Sequence, residues 1–262
     1  MSLEIKNSKN LINDFKLTLL VIGLPGSGKT LMACSAPNPG VAACESGHGK
    51  GMLTVVKAGV DYACPSNYDE LLAIVNGKIF ADKESLVFDS LSDMGTSIIR
   101  DFALTIPRAK GETKKRAMGV PELDDYNTMG VVTGRLLRKI MEIDKHIIVT
   151  AKLKIQTPDA ETGKGAYLMG PDLPGAMFLA SPGFFDHVFY LKTRSYLRDS
   201  KDPKSKVTER YILTQGDDIH IGKSRASIDG KAILPAEIPF NIETKEGFIP
   251  DVLAKLKAGY AS

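Results

Sequence analysis

Lys16-Leu-Thr-Leu-Leu-Val-Ile22-Gly23-Leu-Pro-Gly26-Ser27-Gly28-Lys29-Thr30 is the stretch that decides the fold. The apolar run ending at Ile22 is a buried strand, and the residues from about Gly28 to Ser35 form a helix stopped by Pro37 and Pro39. Between them, Gly23 to Thr30 matches G-x-x-x-x-G-K-[ST] at every fixed position, in the strand–loop–helix setting the motif requires. Gly26 and Gly28 let backbone N–H groups turn toward phosphate, and the helix start adds a favourable dipole. Lys29 is placed to reach the outer phosphates, and the Thr30 hydroxyl to ligate magnesium. The predicted nucleotide contacts are Gly23, Pro25, Gly26, Ser27, Gly28, Lys29, Thr30 and Leu31. A chance glycine turn is the alternative, and the flanking strand and helix argue against it.

Outward from this loop, strands and helices alternate. Strands are predicted at Val41 to Cys44, Ser85 to Phe88, His146 to Thr150 and Phe184 to Leu191, with helices at Asn67 to Val75, Leu91 to Ile106 and Leu123 to Ile143. That order predicts an α/β fold with a mostly parallel twisted sheet, helices on both faces and ligands at the strand C-termini. Beyond Lys192 the pattern changes. Thr193 to Leu197 and Arg210 to Thr214, around the polar stretch Ser200 to Lys206, predict an antiparallel hairpin. The expectation is one domain over residues 1–262, with a core at about 16–225 and a C-terminal extension at 226–262.

Composition sets bounds on function. The 262 residues are 43% hydrophobic and 25% charged, as in ordinary globular proteins, and the formal net charge of +3 makes no case for nucleic acid by itself. No apolar run approaches the ~20 residues of a membrane span, and no signal-peptide core is evident. Cys34, Cys44 and Cys64 lack metal-ligand spacing and read as reduced thiols. The expected location is cytoplasmic, in the host's cytoplasm for a viral protein, with no membrane partner.

Carboxylates follow the strands. Leu86-Val-Phe-Asp89-Ser90 runs from an apolar strand into Asp89, which would hold magnesium opposite Thr30; the alternative is an Asp capping the next helix. Glu45 ends the second strand, where a carboxylate could deprotonate the attacking water or simply be a solvated loop residue. Asp93 is a further candidate one turn on.

In this order the residues resemble the RecA-like recombinase core, and within that superfamily the phage ATP-binding proteins described as single-strand annealing or minimal recombinase proteins. The resemblance covers residues 16–225. It implies ATP with Mg²⁺ as cofactor, Glu45 as the catalytic glutamate and Asp89-Ser90 as the Walker B end. It also implies a sensor at Thr150 or Lys152 leading into a glycine-rich loop at Thr157 to Gly175. Lys223-Ser-Arg225 matches a basic pair that in the family reaches a neighbouring subunit's ATP, so Lys223 and Arg225 join Lys29, Glu45 and Asp89 as catalytic candidates. A ring or filament of identical subunits follows. Otherwise the pair is a charged strand edge, with both side chains on one face of a terminal strand.

Two basic stretches bear on DNA. Pro107 to Gly119 carries Arg108, Lys110, Lys114, Lys115 and Arg116 against Glu112 alone, and Lys152 to Gly175 carries Lys154, Lys164 and Tyr167. Both lie where RecA-like proteins place DNA-binding loops, and both are also readable as solvated surface. The expected activity is an ATP-dependent single-stranded DNA-binding recombinase or annealing protein. A nucleotide-gated adaptor or loader, and a P-loop small-molecule kinase, are the alternatives.

Overall fold

The computed structural model describes residues 15–45, 49–106, 120–158, 165–197 and 203–261. The elements in chain order begin with β1 (Thr18–Gly23), α1 (Lys29–Ala33), β2 (Pro39–Ala43), a 3₁₀ segment (Lys50–Ala58), β3 (Asp61–Ala63), α2 (Tyr68–Val75) and β4 (Ser85–Asp89). Next come α3 (Leu91–Met94), a π-helical turn (Gly95–Ile99) and α4 (Arg100–Thr105), continuous as one rod, then α5 (Leu123–Met141) and β5 (His146–Gln156). The remainder is β6 (Leu168–Pro171), α6 (Met177–Ala180), β7 (His187–Leu197), β8 (Lys206–Leu213), β9 (Lys223–Ser224), β10 (Ser227–Ile228), β11 (Lys231–Ala232), β12 (Glu237–Pro239) and α7 (Ile249–Ala261).

One sheet organises the molecule, in the order β12-β8-β7-β1-β5-β4-β2-β3, with β6 on β5 and β9 on β7. The six strands from β7 to β3 are parallel, and β8, β12, β6 and β9 pair antiparallel. This is the predicted mostly parallel sheet with an antiparallel hairpin toward the C-terminus. β5 lies between the phosphate-loop strand β1 and the acidic strand β4, which brings residues far apart in sequence to one sheet edge.

Side-chain alternation explains the two layers. Leu19 and Val21 point into a core with Met32 of α1 and Ile249, Val252 and Leu256 of α7, while Leu20 and Ile22 face Leu71 of α2, Leu91 of α3 and Leu136 of α5. Local signals start the helices. The Asn67 side chain accepts from the Glu70 N–H at 3.0 Å to cap α2, and Glu122 and Asp125 form a capping box on α5.

Several expectations need correcting. Part of the expected glycine-rich loop, Thr157 to Gly175, is strand: β6 pairs with Leu153 to Gln156, so β5 runs six residues past the predicted end at Thr150. The strand predicted from Phe184 starts at His187, because Ser181–Phe184 form a 3₁₀ turn with Pro182 near its start. The hairpin is present in register Tyr190↔Leu213 to Leu197↔Lys206, but its first arm is β7 itself rather than a separate strand. Lys223 lies on a two-residue strand that is not terminal, and Arg225 lies beyond its end. The segment after residue 225 supplies β12 at the sheet edge and α7 over the first core. Among the described residues, no helix is long and apolar enough to cross a membrane.

Candidate nucleotide site

β1 ends at Gly23, flanked in register by Lys152 of β5 and Leu191 of β7. Only glycine fits there, since a Cβ would stand 2.7 Å from Ser27 Oγ and 2.8 Å from the Leu191 carbonyl oxygen. The loop turns through Gly26 at φ 75° and Gly28 at φ 109°, both left-handed. Gly28 caps α1 without a side-chain acceptor for the first N–H groups, and the buried Ser27 hydroxyl has no hydrogen-bond partner. Pro25 and Gly26 are exposed and Leu31 is half-buried. The loop is therefore a cradle of donors open on one side, which fits a phosphate group.

Lys29 folds over this cradle, donating to the carbonyl oxygens of Gly23 and Leu24, both at 2.9 Å. Burial lowers its pKa, opposed by the negative charges of Asp89 and Glu45. Asp89, at the end of β4, is buried and receives two hydroxyls: Thr30 donates to Oδ2 at 2.6 Å, and Thr150 of β5 donates to Oδ1. Ser90 caps α3, accepting from the Asp93 N–H, so Asp89 is not the helix cap. The Asp89–Ser90 peptide is cis.

A second carboxylate completes the floor. Asp93 receives the Lys152 ammonium at 2.7 Å and the Ser90 hydroxyl, and the Lys152 N–H donates to Ser92 Oγ at 3.0 Å. Its hydrogen bond to Asp93 raises the Lys152 pKa. Glu45 stands just past β2, whose Ala43 pairs with Asp89, and the Cys44 N–H donates to the Asp89 carbonyl at 2.7 Å. The Glu45 carboxyl is pushed up by burial first, then by Asp89 and Asp93, against Lys152 and Lys29. Lys29, Glu45, Asp89, Asp93 and Lys152 thus share one electrostatic site, drawn from four different chain segments.

A magnesium ion suits these donors. Thr30 and Asp89 present hard oxygens side by side. That is the donor set of an ion bound partly through substrate phosphates.

Other predicted residues lie elsewhere. Lys223 and Arg225 sit by the start of β7, where His187 pairs with Ser224, whereas Leu191 of the same strand pairs with Gly23. They are therefore about 13 Å along the sheet from their own phosphate loop. Arg225 pairs with Asp186 at 2.8 Å, and the Lys223 ammonium donates to the Gly183 carbonyl at 3.3 Å. Lys154 is half-exposed on β5, 3.7 Å from Asp172, and Tyr167 is exposed. Arg108, Lys110, Lys114, Lys115, Arg116 and Lys164 lie outside the described residues. Sequence reasoning missed the Lys152–Asp93 pair and the role of Thr150 as a donor to Asp89. The available signal was that β4 and β5, as neighbours, end in polar residues of complementary type.

An AAA domain is matched over residues 16–226. The chain belongs to the AAA domain family. The matched segment holds the phosphate loop, Glu45, Asp89, Thr150 and Lys152, so this AAA domain is a P-loop ATPase. Comparison with curated proteins finds no match. Among solved structures, a KaiC-like protein from the hyperthermophilic archaeon Pyrococcus horikoshii OT3 is similar at 16% identity, covering 88% of this chain and 87% of that one, with a TM-score of 0.45.

Proposed function

We propose that this ATPase hydrolyses ATP with magnesium and uses the cycle to control single-stranded DNA binding in an oligomer. The observation carrying this reading is the double role of β5. Its Lys152 pairs with Asp93 inside the site, and the same strand runs on through Lys154 to pair with β6, which Tyr167 immediately precedes. A shift of Lys152 toward bound phosphate would be felt directly by the hairpin, where cations and an aromatic ring suit a nucleic-acid strand.

The chemistry follows from the charges. The backbone N–H groups of the phosphate loop hold the outer phosphates, with Lys29 turning to them from its carbonyl partners. Glu45, whose affinity for protons is raised by burial and then by Asp89 and Asp93, orients the attacking water and accepts its proton. Lys29 and Lys152, once turned to the phosphates, supply positive charge where negative charge develops. Thr30 and Asp89 would hold magnesium, which neutralises phosphate charge when bound. Thr150 keeps the Asp89 carboxylate oriented.

The basic pair supports an oligomer. Lys223 and Arg225 are remote from their own phosphate loop, so any catalytic role for them is toward a neighbouring subunit's site. A turnover assay with and without single-stranded DNA tests the proposal. DNA-stimulated phosphate release supports it, phosphate transfer to a small acceptor assigns a kinase, and ATP binding without turnover assigns a loader.

A further inference from the structure

Asp89 and Asp93 are oriented by donors from other elements, whereas Glu45 rests against backbone. Its carboxyl group lies on Gly51 of the 3₁₀ segment Lys50–Ala58: a Cβ at position 51 would stand 2.9 Å from Glu45 Oε2 and 3.8 Å from Cδ. The first distance is too short for a carbon and an oxygen that are not bonded. A methyl group on residue 51 and the Glu45 carboxylate cannot both keep these places.

The 3₁₀ segment is the fixed partner of this contact. Met52, next to Gly51, and Val55 are buried in the core that holds Met32 of α1. Gly49, just before the segment, is left-handed at φ 78° and so close to β3 that a Cβ there would stand 2.5 Å from the Tyr62 ring and 3.1 Å from Cys64 Sγ. The Met52 N–H donates to the Gly49 carbonyl at 2.9 Å, and the Thr54 hydroxyl to the Gly51 carbonyl at 2.8 Å. Retreat of Gly51 would therefore unpack Met52, whereas the Glu45 side chain can yield by rotating about its own bonds. Gly51 itself is exposed and its backbone is not left-handed, so neither a turn nor a buried seam demands glycine there. The demand comes from the Glu45 carboxylate.

From this geometry we infer that Gly51 is a positioning residue for ATP hydrolysis: its missing side chain leaves the space in which the Glu45 carboxylate rests, and so sets the place from which that carboxylate meets the attacking water. The inference rests on the reading of Glu45 as the base. A general base works only within hydrogen-bond reach of its proton, roughly 2.6–3.2 Å. A misplacement of about 1 Å can cost about a hundredfold in rate. Any side chain at position 51 moves Oε2 and leaves the phosphate loop untouched. The effect therefore falls on turnover at saturating ATP and not on the affinity for ATP.

A double-mutant cycle in the full chain tests this, with phosphate release at saturating ATP, ATP affinity and circular dichroism measured for each variant. Gly51→Ala should fold, bind ATP within twofold of the wild type and turn over at least tenfold more slowly. Glu45→Asp keeps a carboxylate, and hence measurable turnover, but is one methylene too short to reach Gly51. In the Glu45→Asp background the same alanine should therefore change turnover by less than twofold. Equal losses in the two backgrounds would make the effect of Gly51 merely structural and overturn the inference, as would wild-type turnover in a folded Gly51→Ala protein. If Gly51→Ala does not fold, the double variant should, because the shorter acid leaves room for the methyl group; failure of both overturns the inference. Wild-type turnover in Glu45→Gln would instead remove the base reading itself, and the inference with it, whatever Gly51→Ala shows.

Discussion

Thr150→Val removes one hydroxyl from the buried end of β5 and little else. The Thr150 hydroxyl donates to Oδ1 of Asp89 while Thr30 serves Oδ2, and Thr150 has no exposed surface. Valine keeps the branched shape but leaves one carboxylate oxygen without its donor. A hydrogen bond to a charged group contributes about 1.5–3 kcal/mol. If that energy holds Asp89 in its metal-binding orientation, its loss lowers turnover by about tenfold to a hundredfold, at roughly 1.4 kcal/mol per tenfold. The assay is phosphate release at saturating ATP across a magnesium titration, with circular dichroism confirming a folded variant. Because the effect acts through Asp89, the magnesium midpoint should rise along with the fall in rate. A rate loss with an unchanged midpoint would instead make Thr150 a phosphate sensor. Unchanged rate and midpoint together would refute the assigned role of the Thr150–Asp89 contact.

Asp93→Asn removes a charge that raises the Glu45 pKa and frees Lys152, which lowers it, so the acid limb of the turnover profile should move to lower pH from a wild-type position above 4.5. A stationary limb would mean that Glu45 is not the titrating base. Buried His187 has its pKa depressed from 6.5 to about 4, chiefly by burial, so the fold holds it neutral while the unfolded chain protonates it below 6.5. Stability from this group is complete above pH 6.5 and is lost as pH falls toward 4, by about 3 kcal/mol. Thermal melts of His187→Gln should show a correspondingly smaller drop between pH 7 and pH 4 than the wild type. Arg225→Ala should bind nucleotide normally yet lose most turnover, and mixing it with Lys29→Ala should restore part of it. No recovery on mixing, with turnover per subunit independent of protein concentration, would show that each site is complete within one chain.

The parts of this molecule legible in the sequence were those whose signals are local. Lys16 to Thr30 declares strand, loop and helix start within fifteen residues, and the apolar run into Asp89 declares a buried strand with a carboxylate at its end. The donor that orients Asp89 was not legible, because Thr150 and Asp89 meet only after β5 inserts between β1 and β4. Lys152 and Asp93 are likewise joined by sheet order rather than by spacing. β6 was hidden by its shortness and by Gly170 and Pro171, which read as loop; pairing with β5 makes it a strand. β3 has three residues and little burial, too weak a pattern to register. α7 did carry a signal, Pro250 just inside its start and Asp251 in its first turn, with Val252, Leu253 and Leu256 making a buried face. Its role in the core depends on meeting α1, more than two hundred residues earlier.

The central claim is that the nucleotide held by this phosphate loop sets affinity for single-stranded DNA. Glu45→Gln gives the most direct test, because it should keep ATP bound while turnover falls by about a hundredfold or more. Fluorescence anisotropy of a labelled oligonucleotide would then be measured with this variant and magnesium, in ATP, in ADP and without nucleotide. The account predicts binding at least tenfold tighter in ATP than in ADP, weakening as salt is raised. The same affinity in all three conditions would contradict it.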